Sequence, residues 1–192
     1  MNQDNYNKEM LTFNLVKVNL WGLLAFIPIV MFYVVPYYLV WDEGISTNTF
    51  KKMILENELL KNSFSLLLIM IIGVLGHELI HGVTFSFFAK SGFKAISFGV
   101  LWKMLTPYCH CKEPLLVKQY ITGAIMPAII LGFLPFIYAI LFGNLFWLFF
   151  SIFFTVAAIG DFYIIFLLRN EDLSSMVLDH PSVVGCYIYR KK

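Results

Sequence analysis

Four long apolar runs, separated by short polar stretches, dominate the chain: Val18–Trp41, Leu66–Ala89, Gln119–Phe142 and Leu145–Leu168. Each reaches the roughly 20 residues that an α-helix needs to cross the hydrocarbon core of a bilayer. Pro28 and Pro36 fall inside the first run, where a kink or an early end is expected. The third and fourth are joined by little more than Gly143-Asn144, which predicts a tight antiparallel pair of helices. Between the first and second runs, the stretch from Phe50 to Leu60 spaces its apolar residues as a helix does. It reads as a short amphipathic helix on the outer membrane surface, with a solvated loop as the plainer alternative. The segment from Lys90 to Lys118 has another texture. Its Phe93–Trp102 and Leu105–His110 stretches are β-prone and partly alternating, which predicts a hairpin or small sheet near the membrane. The fold class is therefore an all-α membrane protein of about four transmembrane helices, with a small β-hairpin in the inner loop between spans 2 and 3. Residues 1–192 form a single integral membrane domain on this reading.

Composition agrees with the pattern. Hydrophobic residues make up 59% of the chain and charged residues only 14%, against about 25% charged in ordinary soluble domains. That excess of apolar surface excludes a water-soluble domain of this size. The net charge of +2, with no basic stripe, gives no support for a nucleic-acid partner. The placement of Lys and Arg says more. Eleven of them (Lys8, Lys17, Lys90, Lys94, Lys103, Lys112, Lys118, Arg169, Arg190, Lys191 and Lys192) fall on one side of a four-span topology. Only Lys51, Lys52 and Lys61 fall on the other. The positive-inside bias then puts both termini in the cytoplasm of a multi-pass cell-membrane protein. Trp21 and Trp41 stand about 30 Å apart on a helix, the spacing of the two interfacial belts. No cleavable signal peptide is expected, because a polar-rich stretch precedes the first span and no small-residue cleavage pattern follows a short apolar core. Cys109, Cys111 and Cys186 are an odd number on the cytoplasmic side, which argues against a disulfide framework.

The chemistry is concentrated in Gly76-His77-Glu78-Leu79-Ile80-His81-Gly82, inside the second run. This is an H-E-x-x-H pattern: on a helix, His77 and His81 project from one face toward a single ion. Glu78 lies beside that face, where it can act as general base on water activated by the metal. A carboxylate at the centre of a membrane helix costs roughly 2.5–3.5 kcal/mol on insertion scales, so it is tolerated only when paired, metal-bound or facing water. Catalytic zinc commonly takes three protein ligands. Of the acidic residues, only Glu78 and Asp161 lie inside the proposed spans. His81 is nine residues before Lys90 and Asp161 eight before Arg169, which sets both about 12–14 Å from the cytoplasmic end. Ala157, Ala158 and Gly160 beside Asp161, and Gly73 on the face of His77, are small residues of the kind that permit close helix approach. Asp161 is thus the candidate third ligand to Zn2+. The alternatives are an Asp161 hydrogen-bonded within the bundle without metal, and a ligand drawn from His110 or His180. Cys109-His110-Cys111 could join His180 and Cys186 in a separate cytoplasmic site, although Cys-x-Cys lacks the second ligand pair of a structural zinc site.

These features together resemble the putative zincin peptidase family of small bacterial membrane proteins. The residues that carry the resemblance are Gly76 to Gly82, the loop ending Tyr108-Cys109-His110-Cys111-Lys112-Glu113-Pro114, Gly160-Asp161 and Asp179-His180-Pro181 followed by Val184-Gly185. The family looks like a reduced relative of the site-2 proteases, intramembrane zinc metalloproteases with a cytosol-proximal active site. The resemblance implies zinc on His77 and His81, Glu78 as base, and Asp161 at the position of the acidic ligand. The order Gly160-Asp161 departs from the Asp-Gly that site-2 proteases commonly carry.

The expected function is a membrane-embedded zinc metalloprotease that hydrolyses peptide bonds within or near the membrane. Its partners are membrane lipid and a peptide or membrane-protein substrate. The alternatives are a non-catalytic zinc-binding membrane protein, in which Glu78 has no use, and a metal-ion carrier. Four spans without an inverted repeat fit the carrier poorly.

Overall fold

Helix α1 spans Leu15–Val40 and runs through Pro28 and Pro36 without ending. The structure is a computed structural model that describes residues 6–12, 15–41, 48, 51, 54–55, 63–102, 106–180 and 185–191. The amphipathic helix expected from Phe50 to Leu60 lies outside the described residues apart from Lys51, Ile54 and Leu55. Helix α2 spans Ser63–Phe88. The third run is helix α3 (Val117–Pro127), a π-helical stretch over Ala128–Phe133 and helix α4 (Leu134–Phe142). The fourth is a broken pair, α5 (Leu145–Ala157) and α6 (Ile159–Leu168), bent by 46°. Ala158 makes the break, with ψ at 11° instead of the helical value near −42°. Among the described residues, three helices are thus long and apolar enough to cross a membrane, or four if the bent pair is one span. Their outward residues fit that role: Leu23, Ile27 and Leu39 are all more than two-thirds exposed.

All-α is too narrow a description, because the mostly helical chain also carries two antiparallel sheets. The anticipated hairpin is present: β2 (Ile96–Leu101) pairs with β3 (Thr106–Cys111), from Ile96↔Cys111 to Leu101↔Thr106. A four-stranded sheet was not anticipated. It has the order β1-β6-β5-β4, with β1 at Tyr6–Thr12, β4 at Leu115–Leu116, β5 at Met176–Asp179 and β6 at Gly185–Lys191. Its strands come from the polar ends of the chain and from segments two and four residues long, too short for alternation to register.

The chain divides into two compact units whose boundaries fall inside helices. The first comprises Met1–Leu20, His77–Met126 and Gly160–Lys192. Its core brings Phe85 of α2, Val117 and Tyr120 of α3 and Leu168 of α6 together with Val177 and Ile188 of the sheet. Glu113, just beyond β3, accepts hydrogen bonds from the backbone N–H groups of Lys90 (2.7 Å) and Ser91 (3.3 Å), fixing the exit from α2. Arg190 on β6 makes a two-pronged contact with Glu171, Nε and Nη2 each at 2.7 Å, and also pairs with Glu9 on β1. The Lys8 ammonium lies 3.6 Å from the centroid of the Tyr187 ring.

The second unit comprises Trp21–Gly76 and Pro127–Ile159. Tyr33, Tyr37, Phe136 and Leu148 pack its core, and the Tyr33 hydroxyl pairs with Thr155 Oγ1 at 2.6 Å. The tight turn read from Gly143-Asn144 is observed. Gly143 closes α4 in the left-handed region at φ 62°, and the Asn144 side chain accepts from the N–H groups of Phe146 and Trp147 to start α5. Trp41 Nε1 donates to the Ile140 carbonyl at 2.8 Å, satisfying one of the acceptors left open at the end of α4. Gly73 is the site of close approach, because a Cβ there would run into the Phe154 ring. Gly160 is not, since a Cβ there would meet nothing within 4 Å.

Candidate metal centre

Helical spacing puts His77 and His81 one turn apart on α2, with ring centroids 4.9 Å apart. Asp161 lies in the first turn of α6, just beyond the break at Ala158. That position suits an anion, because free N–H groups and the helix dipole concentrate positive potential at a helix N-terminus. The two imidazoles converge on the one carboxylate: His77 Nε2 is 3.1 Å from Oδ2 and His81 Nε2 is 3.2 Å from Oδ1. One ligand atom from each of the three residues lies within 4.8 Å of the others, a set able to hold a metal ion. The side chains of His77 and His81 are 12% and 8% exposed and that of Asp161 is 22%, so the carboxylate is the most exposed of the three.

The hydrogen bonding of His81 tests whether a cation fits. Its Nδ1 lies 2.9 Å from the Gly123 carbonyl on α3, and a carbonyl can only accept, so Nδ1 carries the proton. In the neutral ring Nε2 then offers a lone pair, and it faces the oxygens of Asp161. Two lone pairs at that distance repel unless a positive charge sits between them. A proton on Nε2 supplies that charge in the metal-free ring, and a divalent ion held by the two imidazoles and the carboxylate would take its place; the donor set suits zinc. The residues therefore fit the metal.

Glu78 is half-buried on the same turn of α2. Strand β3 lies near it: the Cys109 thiol is pushed up first by burial and next by the negative charge of Glu78. Gly82, directly after His81, is where the hairpin meets α2, because a Cβ there would press on Ile96 and Phe98 of β2.

His110 and His180, the other candidate ligands, are not part of the group. His110 sits in β3 with its ring 4.4 Å from Tyr108, and buried His180 has its ring 4.9 Å from Tyr187. Among the described residues, the three cysteines are free thiols and no second metal-holding cluster occurs. Cys111 Sγ instead donates to the Glu113 carbonyl at 3.4 Å.

Three residues that sequence reasoning left without a role surround the site. Gly123 supplies a backbone carbonyl, which leaves no signature in residue type. The Tyr120 ring stacks on Phe85 at 5.3 Å, and Phe85 stacks on the His81 ring at 5.9 Å. The Tyr120 hydroxyl donates to Asp179 Oδ1 at 2.5 Å, and the Cys111 N–H donates to Oδ2 at 2.8 Å. Burial raises the Asp179 carboxyl, and these two donors oppose that rise. Asp179 thus joins the end of the hairpin, α3 and β5 beside the site. In the sequence, Asp179 enters only with His180 and Pro181, as part of the family resemblance.

A family model described as "Putative zincin peptidase" matches residues 67–175, more than half of the chain, and the chain belongs to that family. No curated protein matches it, and no solved structure does.

Proposed function

We propose that this member of the zincin peptidase family is a membrane-embedded zinc metallopeptidase that cleaves peptide bonds within or next to the membrane, on its cytoplasmic side. The observation that carries the reading is the convergence of His77 Nε2 and His81 Nε2 on Asp161, next to a carboxylate with no ligand role in that set. His77, His81 and Asp161 would hold the ion. When bound, zinc supplies a Lewis acid that polarises a carbonyl and lowers the pKa of water. Glu78 takes the proton from the attacking water and delivers it to the leaving amine. His81 presents Nε2 to the ion, because its Nδ1 proton is held by the Gly123 carbonyl. The hairpin offers strand edges beside α2, and an unwound substrate segment can pair with such an edge. That suits a membrane-protein substrate, whose helical backbone is inaccessible until it unwinds. The arrangement resembles site-2 proteases in reaction class. Zinc is the resident cofactor on this reading, membrane lipid and a peptide or membrane-protein substrate are the partners, and both chain ends are cytoplasmic.

Glu78→Gln tests the proposal. The variant is expected to retain zinc, because Glu78 transfers protons and does not ligate, and to lose peptidase activity by a factor of about 10²–10⁴. Membrane proteomics of cells carrying the variant should show the substrate accumulating uncleaved. Zinc retention with undiminished cleavage would overturn the role of Glu78. Zinc binding without cleavage in the wild type would leave the non-catalytic reading.

A further inference from the structure

We infer that Pro127 is a positioning residue for the metal centre: it deprives the Gly123 carbonyl of its helical donor, and that carbonyl then fixes which nitrogen of His81 faces Asp161. The inference rests on the zinc reading of His77, His81 and Asp161, and it describes a device that acts before any ion arrives.

In an α-helix the carbonyl of residue i accepts the N–H of residue i+4. For Gly123 that residue is Pro127, in the same helix α3, and proline has no N–H. Pro127 is fully buried, so water does not replace the missing donor. The acceptor is filled from another helix, by His81 Nδ1 at 2.9 Å. Glycine at 123 makes that approach possible, because a Cβ there would run into the Phe85 ring. Beyond Pro127 the ladder changes register, with the Leu134 N–H bonded five residues back to the Ile129 carbonyl.

The consequence falls on the ligand. Asp161 Oδ1, 3.2 Å from His81 Nε2, is itself a strong acceptor and would draw the ring proton to Nε2. A ring protonated there has no lone pair at Nε2 for a cation. The Gly123 carbonyl keeps a proton on the opposite nitrogen, so the position that an ion can take is Nε2, the one facing Asp161.

Pro127→Ala returns an N–H to position 127, where it competes with His81 for the Gly123 carbonyl. Two quantities are measured on the full chain: zinc affinity, by competition with a chromophoric chelator, and the ring-¹⁵N spectrum of His81 in metal-free protein at a pH where the ring is neutral, assigned by its loss in His81→Gln. The expected result is a roughly 10–100-fold loss of zinc affinity, with the His81 proton moving from Nδ1 toward Nε2. A second variant, Pro127→lactic acid, has neither ring nor N–H at that position, so it should keep wild-type affinity and the Nδ1–H form. Loss of either in the lactic acid variant means that the ring matters and not the missing donor, which overturns the inference even if the alanine variant does not fold. An unchanged His81 spectrum in Pro127→Ala overturns it as well. Should wild-type protein take up no zinc, the zinc reading fails, while the ring spectra still decide the role of Pro127.

Discussion

Replacing Asp161 by Asn keeps the shape of the side chain and removes its charge. Each oxygen of Asp161 now faces one imidazole at 3.1 or 3.2 Å, and a bound zinc would stand about 2.0–2.2 Å from the carboxylate. A unit charge at about 2.1 Å from a dication is worth roughly 4 kcal/mol even in the dielectric of water, and roughly four times as much at an effective value of 20. The smaller figure alone corresponds to about three decades in affinity. The neutral amide oxygen recovers part of that, so zinc affinity is expected to fall at least about 100-fold, with hydrolysis lost. The assay is zinc per chain in purified protein, about one in the wild type, together with competition titration and a circular-dichroism check of helix content. His110→Ala and His180→Ala are the controls and should keep their zinc, since both rings pack against tyrosines and neither belongs to the metal-holding group. The reasoning fails if Asp161→Asn retains zinc while either control loses it.

Three other outcomes can be checked. Tyr120→Phe removes the 2.5 Å donor to Asp179 and leaves a buried carboxylate with the Cys111 N–H; unfolding in detergent should show about 1–3 kcal/mol of lost stability, and an unchanged melting temperature would count against the link. Arg190→Ala breaks the contacts to Glu171 and Glu9 and should cost about 1 kcal/mol near neutral pH. The guanidinium holds the Glu171 carboxyl below its ordinary value of 4.5, so this stabilisation is present above that pH and is lost as the pH falls through the lower folded value. Melting curves of wild type and variant should therefore converge in acid. Burial pushes up the thiols of Cys109 and Cys111 and takes Cys186 to about 12; native protein at pH 8 should take up little maleimide by mass spectrometry until it is unfolded, whereas a cysteine at exposed Asn48 should label readily.

The helices were legible because a run of 20 or more apolar residues has few other uses, and their observed limits lie within a few residues of the runs. The facing pair His77 and His81 was legible for the same geometric reason, a separation of four on one helix. Asp161 could be matched to His81 by counting residues to the helix ends, but the break at Ala158 could not be seen. Ala157 and Ala158 are good helix formers, and nothing in their residue type marks a bend. Small residues proved an uneven guide: Gly73 receives the Phe154 ring, while Gly160 faces open space. The four-stranded sheet escaped because strand β1 is mostly exposed and owes its place to pairing with β6 and to the contacts of Arg190 and Lys8, not to an apolar face of its own. The carbonyl of Gly123 had one mark in the sequence, a proline four residues later in a helical run, and it carries meaning only once His81 is known to lie opposite.

The small sheet also fixes a parity. Hydrogen-bonded strands cannot sit on opposite faces of a bilayer, so if the apolar helices cross one, β1, β4, β5 and β6 share one side. Between β1 and β4 the described chain runs through α1 and α2, two helices long and apolar enough to cross, which would make an out-and-back pair. Between β4 and β5 it runs through α3 to α4 and then through α5 and α6, and it must return to the side it left. If the stretch from α3 to α4 crosses, the bent pair has to complete a crossing and cannot dip in and out on one face. The first turn of α6, and Asp161 with it, then belongs to the interior of a full traverse, so the bend that sets Asp161 interrupts a path the chain is obliged to finish.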